Sequence, residues 1–169
     1  ALYHVLLRFA RENHVDLILA VGGSVSDCCR IISAQAKLDE DIWEMQYTKH
    51  TYPAKFIPLG TIVTVFGTGS EMNNGAVITN EEKKIKGALW GAQADFAFLD
   101  PAYTLSVPMK QVISGAFDTL SHAMETYFGK PDENTLSDDI NEAVMRSVIR
   151  NIRVLLTDPE NYDARSELA

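Results

Sequence analysis

Three groups of residues have the types and spacing to do chemistry. The first is DTLSH, which sets Asp118 and His122 four residues apart. On a helix, positions i and i+4 share a face, so this carboxylate and imidazole can ligate one metal ion. The same spacing suits a simple hydrogen bond along the helix, and a catalytic ion usually needs at least three protein ligands and an open position. Glu125, three residues on, falls near that face and could orient His122. The second group is LILAVGGSVSD, an apolar run broken by Gly22-Gly23. Glycines after a buried strand let the backbone approach a phosphate, and the helix start that follows offers free N–H groups and a positive dipole end. Ser24 can donate a further hydrogen bond, and Asp27 could hold a ribose or nicotinamide group; a plain tight turn is the competing reading. The third is TIVTVFGTGSE, where Thr64, Thr68 and Ser70 gather hydroxyls around two glycines. Those groups suit diphosphate or ribose oxygens, and they equally suit a polar loop capping the next element.

These groups need elements to hold them. Leu2, Val5, Leu6 and Phe9 recur at helical steps, so an amphipathic helix opens the chain. Residues 16–21 (DLILAV) are nearly all apolar and stop at the two glycines, as a strand buried on both faces of a parallel sheet does. Helical spacing returns through Cys28, Ile31, Ile32 and Gln35. Helix, strand, glycine turn and helix form the rhythm of an α/β, doubly wound fold. Residues 39–54 read as a loop, and residues 56–65, 75–79 and 96–99 as strands. The segments 16–21, 57–65 and 96–99 are expected as buried strands of one sheet. Beyond Ser106-Val107-Pro108 only helical patterns remain, at 108–128 and 137–156. Ile140, Val144, Val148, Ile152 and Leu155 form one stripe of the latter, and Ser137 with two aspartates marks its start. A boundary near residue 107 separates an α/β domain, 1–107, from the opening of a helical domain, 108–169. The chain ends in RSELA, inside what reads as another helix.

The 169 residues are 46% hydrophobic and 22% charged, an ordinary composition for a folded domain. A net charge of −8 disfavours nucleic acid, whose phosphates are held by Lys and Arg. No apolar run has the length of a membrane span, and no signal-peptide pattern opens the chain. Cys28 and Cys29 are adjacent and lack zinc-site spacing, which points to reduced thiols and a cytoplasmic location.

Taken together and in order, LAVGGSVSD, GTGSEMNNGAVIT, DFAFLDPAYTLSVP and SGAFDTLSHAMETYF resemble the successive signatures of the iron-containing (group III) alcohol dehydrogenases. The likeness leans to the butanol-dehydrogenase and NADPH-dependent aldehyde-reductase branch, and DPENYDARSELA shares it. The resemblance implies a Rossmann-like cofactor domain followed by an all-helical domain, with a divalent metal, iron or zinc, in the cleft between them. It implies hydride transfer between NAD or NADP and a small alcohol or aldehyde, in a homo-oligomer. Carried across residue by residue, Gly22, Gly23, Ser24 and Asp27 match the pyrophosphate loop, Thr64 and Thr68 the cofactor-contacting threonines, and Lys86 a lysine that reaches the ribose. Asp118 and His122 match the first two metal ligands. The chain departs from the family in having two glycines, not three, before Ser24, which would shorten the loop by one residue. The family's other two metal ligands are histidines on later helices, whose positions His4, His14 and His50 do not match. Its first strand and helix lie upstream of Leu2. The expected alternatives are a glycerol dehydrogenase, a hydroxyacid–oxoacid transhydrogenase, or a non-catalytic piece that at most binds nucleotide.

Overall fold

The computed structural model describes residues 2–129 and 135–169. The chain divides into two compact units, Ala1–Ile62 with Gly69–Phe98, and Val63–Thr68 with Leu99–Ala169. The first is α/β, the second helical.

The α/β unit opens with α1 (Leu2–Glu12), β1 (Ile18–Val21) and α2 (Gly23–Gln35). β2 (Leu59–Ile62) and β5 (Phe96–Phe98) complete a parallel sheet in the order β1-β2-β5. The register sets Ile18 against Leu59 and Gly60 against Phe96, so the three expected strands do share one sheet. Their expected burial on both faces is not met. Strand side chains alternate between faces, and Ile18 and Ala20 turn towards α1 and α2, where Ile32, Ile57 and Ala10 pack. Leu19 and Val21 turn the other way and stay 49% exposed.

The expected amphipathic helix opens the chain as α1. Leu2, Val5, Leu6 and Phe9, the stripe singled out in the sequence, are its exposed side. Tyr3, Leu7 and Ala10 make the contact with α2 and the sheet. Apolar residues occupy both sides of α1, so periodicity could not choose between them. The expected strand 56–65 shrinks to Leu59–Ile62, because Val63–Thr68 joins the helical unit, where Phe66 enters the core.

Residues 39–54 hold more than a loop. Asp41 accepts from the amides of Trp43 and Glu44 (2.9 and 3.1 Å), just ahead of a π-helical turn, Glu44–Thr48. Gln46 there makes two bonds to the main chain of Trp90 (2.6 and 2.8 Å). Trp90 ends a strand that the sequence pattern hid. β3 (Gly75–Asn80) and β4 (Ile85–Trp90) form an antiparallel hairpin apart from the main sheet. Gly87 interrupts the alternation of β4, and the Tyr47 hydroxyl packs over it.

In the helical unit, α3 (Met109–Phe128), α4 (Leu136–Thr157) and α5 (Tyr162–Leu168) pack around Val112, Ala116, Val148, Leu155, Ala164 and Leu168. Full burial of each Val or Leu contributes about 1.5–3 kcal/mol. Of the predicted α4 stripe, Val148, Ile152 and Leu155 pack inward, while Ile140 remains exposed. The start of α4 moves from Ser137 to a capping box: Asp138 accepts from the Thr135 amide at 2.8 Å, and the Asp138 amide donates to the Thr135 hydroxyl. The unit begins ahead of residue 107 because Arg165 of α5, itself buried, binds Thr104 O and Pro159 O (2.5 and 2.8 Å). That clamp ties the turn Pro101–Thr104 to the helices.

Candidate functional site

In the α/β unit the candidate loop, residues 22–27, lies where β1 ends and α2 begins, at the carboxyl end of a parallel strand. Ligands of open parallel sheets bind at such ends. The Gly22 amide donates to Ile62 O (3.0 Å), which continues the β1–β2 ladder by one bond. Gly22 has φ 105°, a conformation suited to glycine. Its carbonyl accepts from both the amide and the hydroxyl of Ser26 (3.0 and 2.7 Å), which sets the first turn of α2. The amides of Gly23, Ser24 and Val25 precede that first bond, so they are the helix's free donors. Ser24 is exposed beside them.

With two glycines before Ser24, the turn opens directly after the strand. Val21 stands in the strand, paired with Ile62, and only Gly22 needs a positive φ. The turn therefore starts one residue after Val21.

Asp27 is partly buried and engaged on both oxygens. Oδ1 accepts from Arg30 Nη1 at 3.1 Å, and Oδ2 accepts from the Val77 amide of β3 at 3.1 Å. Lys86 sits exposed on β4, opposite Thr79.

In the helical unit, Asp118 and His122 share one face of α3, with Oδ2 and Nε2 3.9 Å apart. Both are open to solvent (44% and 61% exposed). An ion held about 2.1 Å from each donor spans a gap of that size, so the pair fits a divalent cation. Among the described residues, no third His, Cys, Asp or Glu joins them; neither Glu125 nor His50 completes a cluster. Gly67 lies against this helix. A Cβ on Gly67 would sit 2.8 Å from Gly115 O and 3.2 Å from Asp118 Cβ, and Gly67 itself has φ 122°. Gly115 in turn leaves no space for a side chain under Phe66 O. Two glycines thus let the segment Val63–Thr68 lie on α3 beside Asp118, with Thr64 half-buried and Thr68 exposed. Along α3, Phe117, Leu120, Ser121, Met124, Glu125 and Phe128 line an open cleft of about 500 Å³, so Glu125 puts a carboxylate in an otherwise largely apolar lining.

Sequence reasoning missed Arg30. It is fully buried, and its side chain joins four segments of the α/β unit. Burial pushes the guanidinium pKa down, and the carboxylates of Asp27 and Glu71 oppose that shift. A charged residue amid CCRIIS, three places after an aspartate, was the available signal. It also missed Gly67 and Gly115 as a contact, which no local pattern announces.

Comparison with known proteins identifies the family. Residues 3–101 match the family described as iron-containing alcohol dehydrogenase, and residues 112–169 match the C-terminal part of the Fe-containing alcohol dehydrogenase family. The chain is 41% identical over 162 residues to the probable NADH-dependent butanol dehydrogenase 1 of Bacillus subtilis, covering 94% of this chain and 41% of that protein. It is 37% identical to the NADPH-dependent aldehyde reductase YqhD of Escherichia coli, covering 96% of this chain and 43% of that protein. Among solved structures, the NADH-dependent butanol dehydrogenase A of Thermotoga maritima superposes with a TM-score of 0.89 at 31% identity, over 99% of this chain and 42% of that one. The chain thus spans about two fifths of the length of these relatives.

Proposed function

Because the chain belongs to the iron-containing alcohol dehydrogenase family, we propose that the protein it represents is an oxidoreductase moving a hydride between NAD(P) and a small alcohol or aldehyde. The observation that carries this reading is the Asp118–His122 pair, set on one face of α3 within reach of a single ion. These two residues would hold a divalent metal, iron or zinc, whose chemistry there is Lewis-acid polarisation of the substrate oxygen. The amides of Gly23, Ser24 and Val25 and the Ser24 hydroxyl bind the cofactor pyrophosphate. Asp27 stands at the same turn of α2, and its carboxylate reaches the hairpin that carries Lys86. Lys86 supplies a cation to the ribose, and the hydroxyls of Thr64 and Thr68 supply further contacts to the cofactor. The bound nicotinamide supplies or accepts the hydride. The apolar cleft of Phe117, Leu120, Met124 and Phe128 offers a wall for an alkyl chain.

Several features support a cytoplasmic enzyme. Cys28 and Cys29 form no disulfide, which suits a reducing compartment; burial raises both thiols, Cys29 to about 11, and so leaves them weak nucleophiles. Among the described residues, no helix is long and apolar enough to cross a membrane. The uncovered apolar side of α1 supports a homo-oligomer.

The test uses the full-length protein with butanol or butyraldehyde and each nicotinamide. His122→Ala is expected to abolish turnover and metal retention while far-UV circular dichroism stays unchanged. Full activity in that variant would sink the metal assignment.

A further inference from the structure

We propose that Arg30 is a positioning residue for dinucleotide binding: its guanidinium locks the phosphate-binding start of α2 to the hairpin that bears Lys86, without touching the cofactor itself. The inference rests on the reading of residues 22–27 as a dinucleotide loop.

Arg30 is 0% exposed and spends its donors on fixed acceptors. Nε donates to Ala92 O at 2.9 Å, beyond the end of β4. Nη1 donates to Gly75 O at 2.9 Å, where β3 begins, and to Asp27 at 3.1 Å. Nη2 donates to Ser70 O, in the hydroxyl-rich segment. Asp27 completes the frame by accepting from the Val77 amide. Gly91 shows how closely the parts are fitted, since a Cβ there would fall 2.8 Å from Arg30 O and 2.9 Å from Arg30 Cγ. The hairpin is paired to no strand of the main sheet, so this hub does for it what a ladder would otherwise do. A planar guanidinium with five donors can satisfy carbonyls from several directions, while an ammonium with three cannot reproduce that geometry. Arg30 lies about two turns along α2 from Gly22, so a shift at Arg30 moves the free amides relative to Lys86. A misplacement of about 1 Å in such a frame is enough to cost a large factor in binding or rate.

The experiment compares the full-length wild type with Arg30→Met and Arg30→Lys. Dissociation constants for NADH and NADPH are measured by fluorescence titration, alongside cofactor KM, kcat, bound metal and hydrogen exchange of the hairpin amides. Arg30→Met is expected to weaken dinucleotide binding by about tenfold or more, with cofactor KM rising in step. Bound metal and kcat at saturating cofactor should change little. Arg30→Lys keeps the charge; folding is checked by circular dichroism, and its affinity should lie between the two, with faster hairpin exchange. If Arg30→Met does not fold, Arg30→Lys alone decides. A loosened hairpin or lowered melting temperature with unchanged dinucleotide affinity in the folded variants would overturn the proposal, leaving Arg30 a merely structural residue. Failure of the wild type to bind either dinucleotide would instead overturn the function proposed above, a result distinguishable before any variant is made.

Discussion

At the scale of single residues, the candidate loop turns on Gly22. Its φ of 105° is one that an alanine reaches only with strain of about 1–3 kcal/mol. Gly22→Ala in the full-length protein is therefore expected to weaken NAD(P)H binding about tenfold, read by fluorescence titration. Val21→Ala should leave affinity within about twofold, because Val21 is ordinary extended strand paired with Ile62. A larger loss from Val21→Ala than from Gly22→Ala would mean that the turn has been located one residue too late. The strand–turn–helix around Gly22 and the placement of Asp118 and His122 on one helix face were legible in the sequence, because each depends on residues adjacent along one helix or turn. Asp27 was legible only as a carboxylate near the loop. Its bond to the Val77 amide crosses fifty residues of chain.

At the scale of elements, the seating of Val63–Thr68 on α3 depends on two glycines meeting backbone to backbone. A Cβ on Gly115 would strike the carbonyl of Phe66, and one on Gly67 would strike Gly115. Neither obstacle is the flexible end of a side chain, so the helix or the segment must move. Gly115→Ala is expected to destabilise the helical unit by about 1–3 kcal/mol, measured by urea unfolding, and to reduce metal retention because Asp118 lies one turn away. A stable variant with wild-type metal content would show that the contact is loose. The hairpin illustrates the opposite case. Its second strand was invisible because NEEKKIKG reads as a charged turn and Gly87, over which the Tyr47 hydroxyl packs, erases the alternation.

At the scale of the whole molecule, exposed apolar surface sets the behaviour. Leu2, Val5, Leu6 and Phe9 line one side of α1, and Leu19 and Val21 one face of the sheet, all open to solvent. These are separate patches on opposite sides of the sheet, and uncovered apolar surface at either seeks a partner. The 169-residue polypeptide made by itself is expected to self-associate, seen as a mass above 18.7 kDa in light scattering. It should also show no turnover of butanol with either nicotinamide and only weak metal retention, since two donors at i and i+4 lack the convergence of a larger ligand set. Robust turnover by the verified 169-residue species would mean that a further residue completes the site.

Local order along the chain settled the strand–turn–helix at residues 18–35, the i,i+4 pair on α3 and the α/β-then-helix sequence of elements, since each arises from neighbours within one or two turns. Tertiary structure alone decided which apolar side of α1 is packed, which carbonyls Arg30 holds and why residues 67, 91 and 115 are glycine. The reason is physical: apolar periodicity records that a side chain can be buried, whereas the partner that buries it, or the backbone that excludes it, comes from a segment tens of residues away.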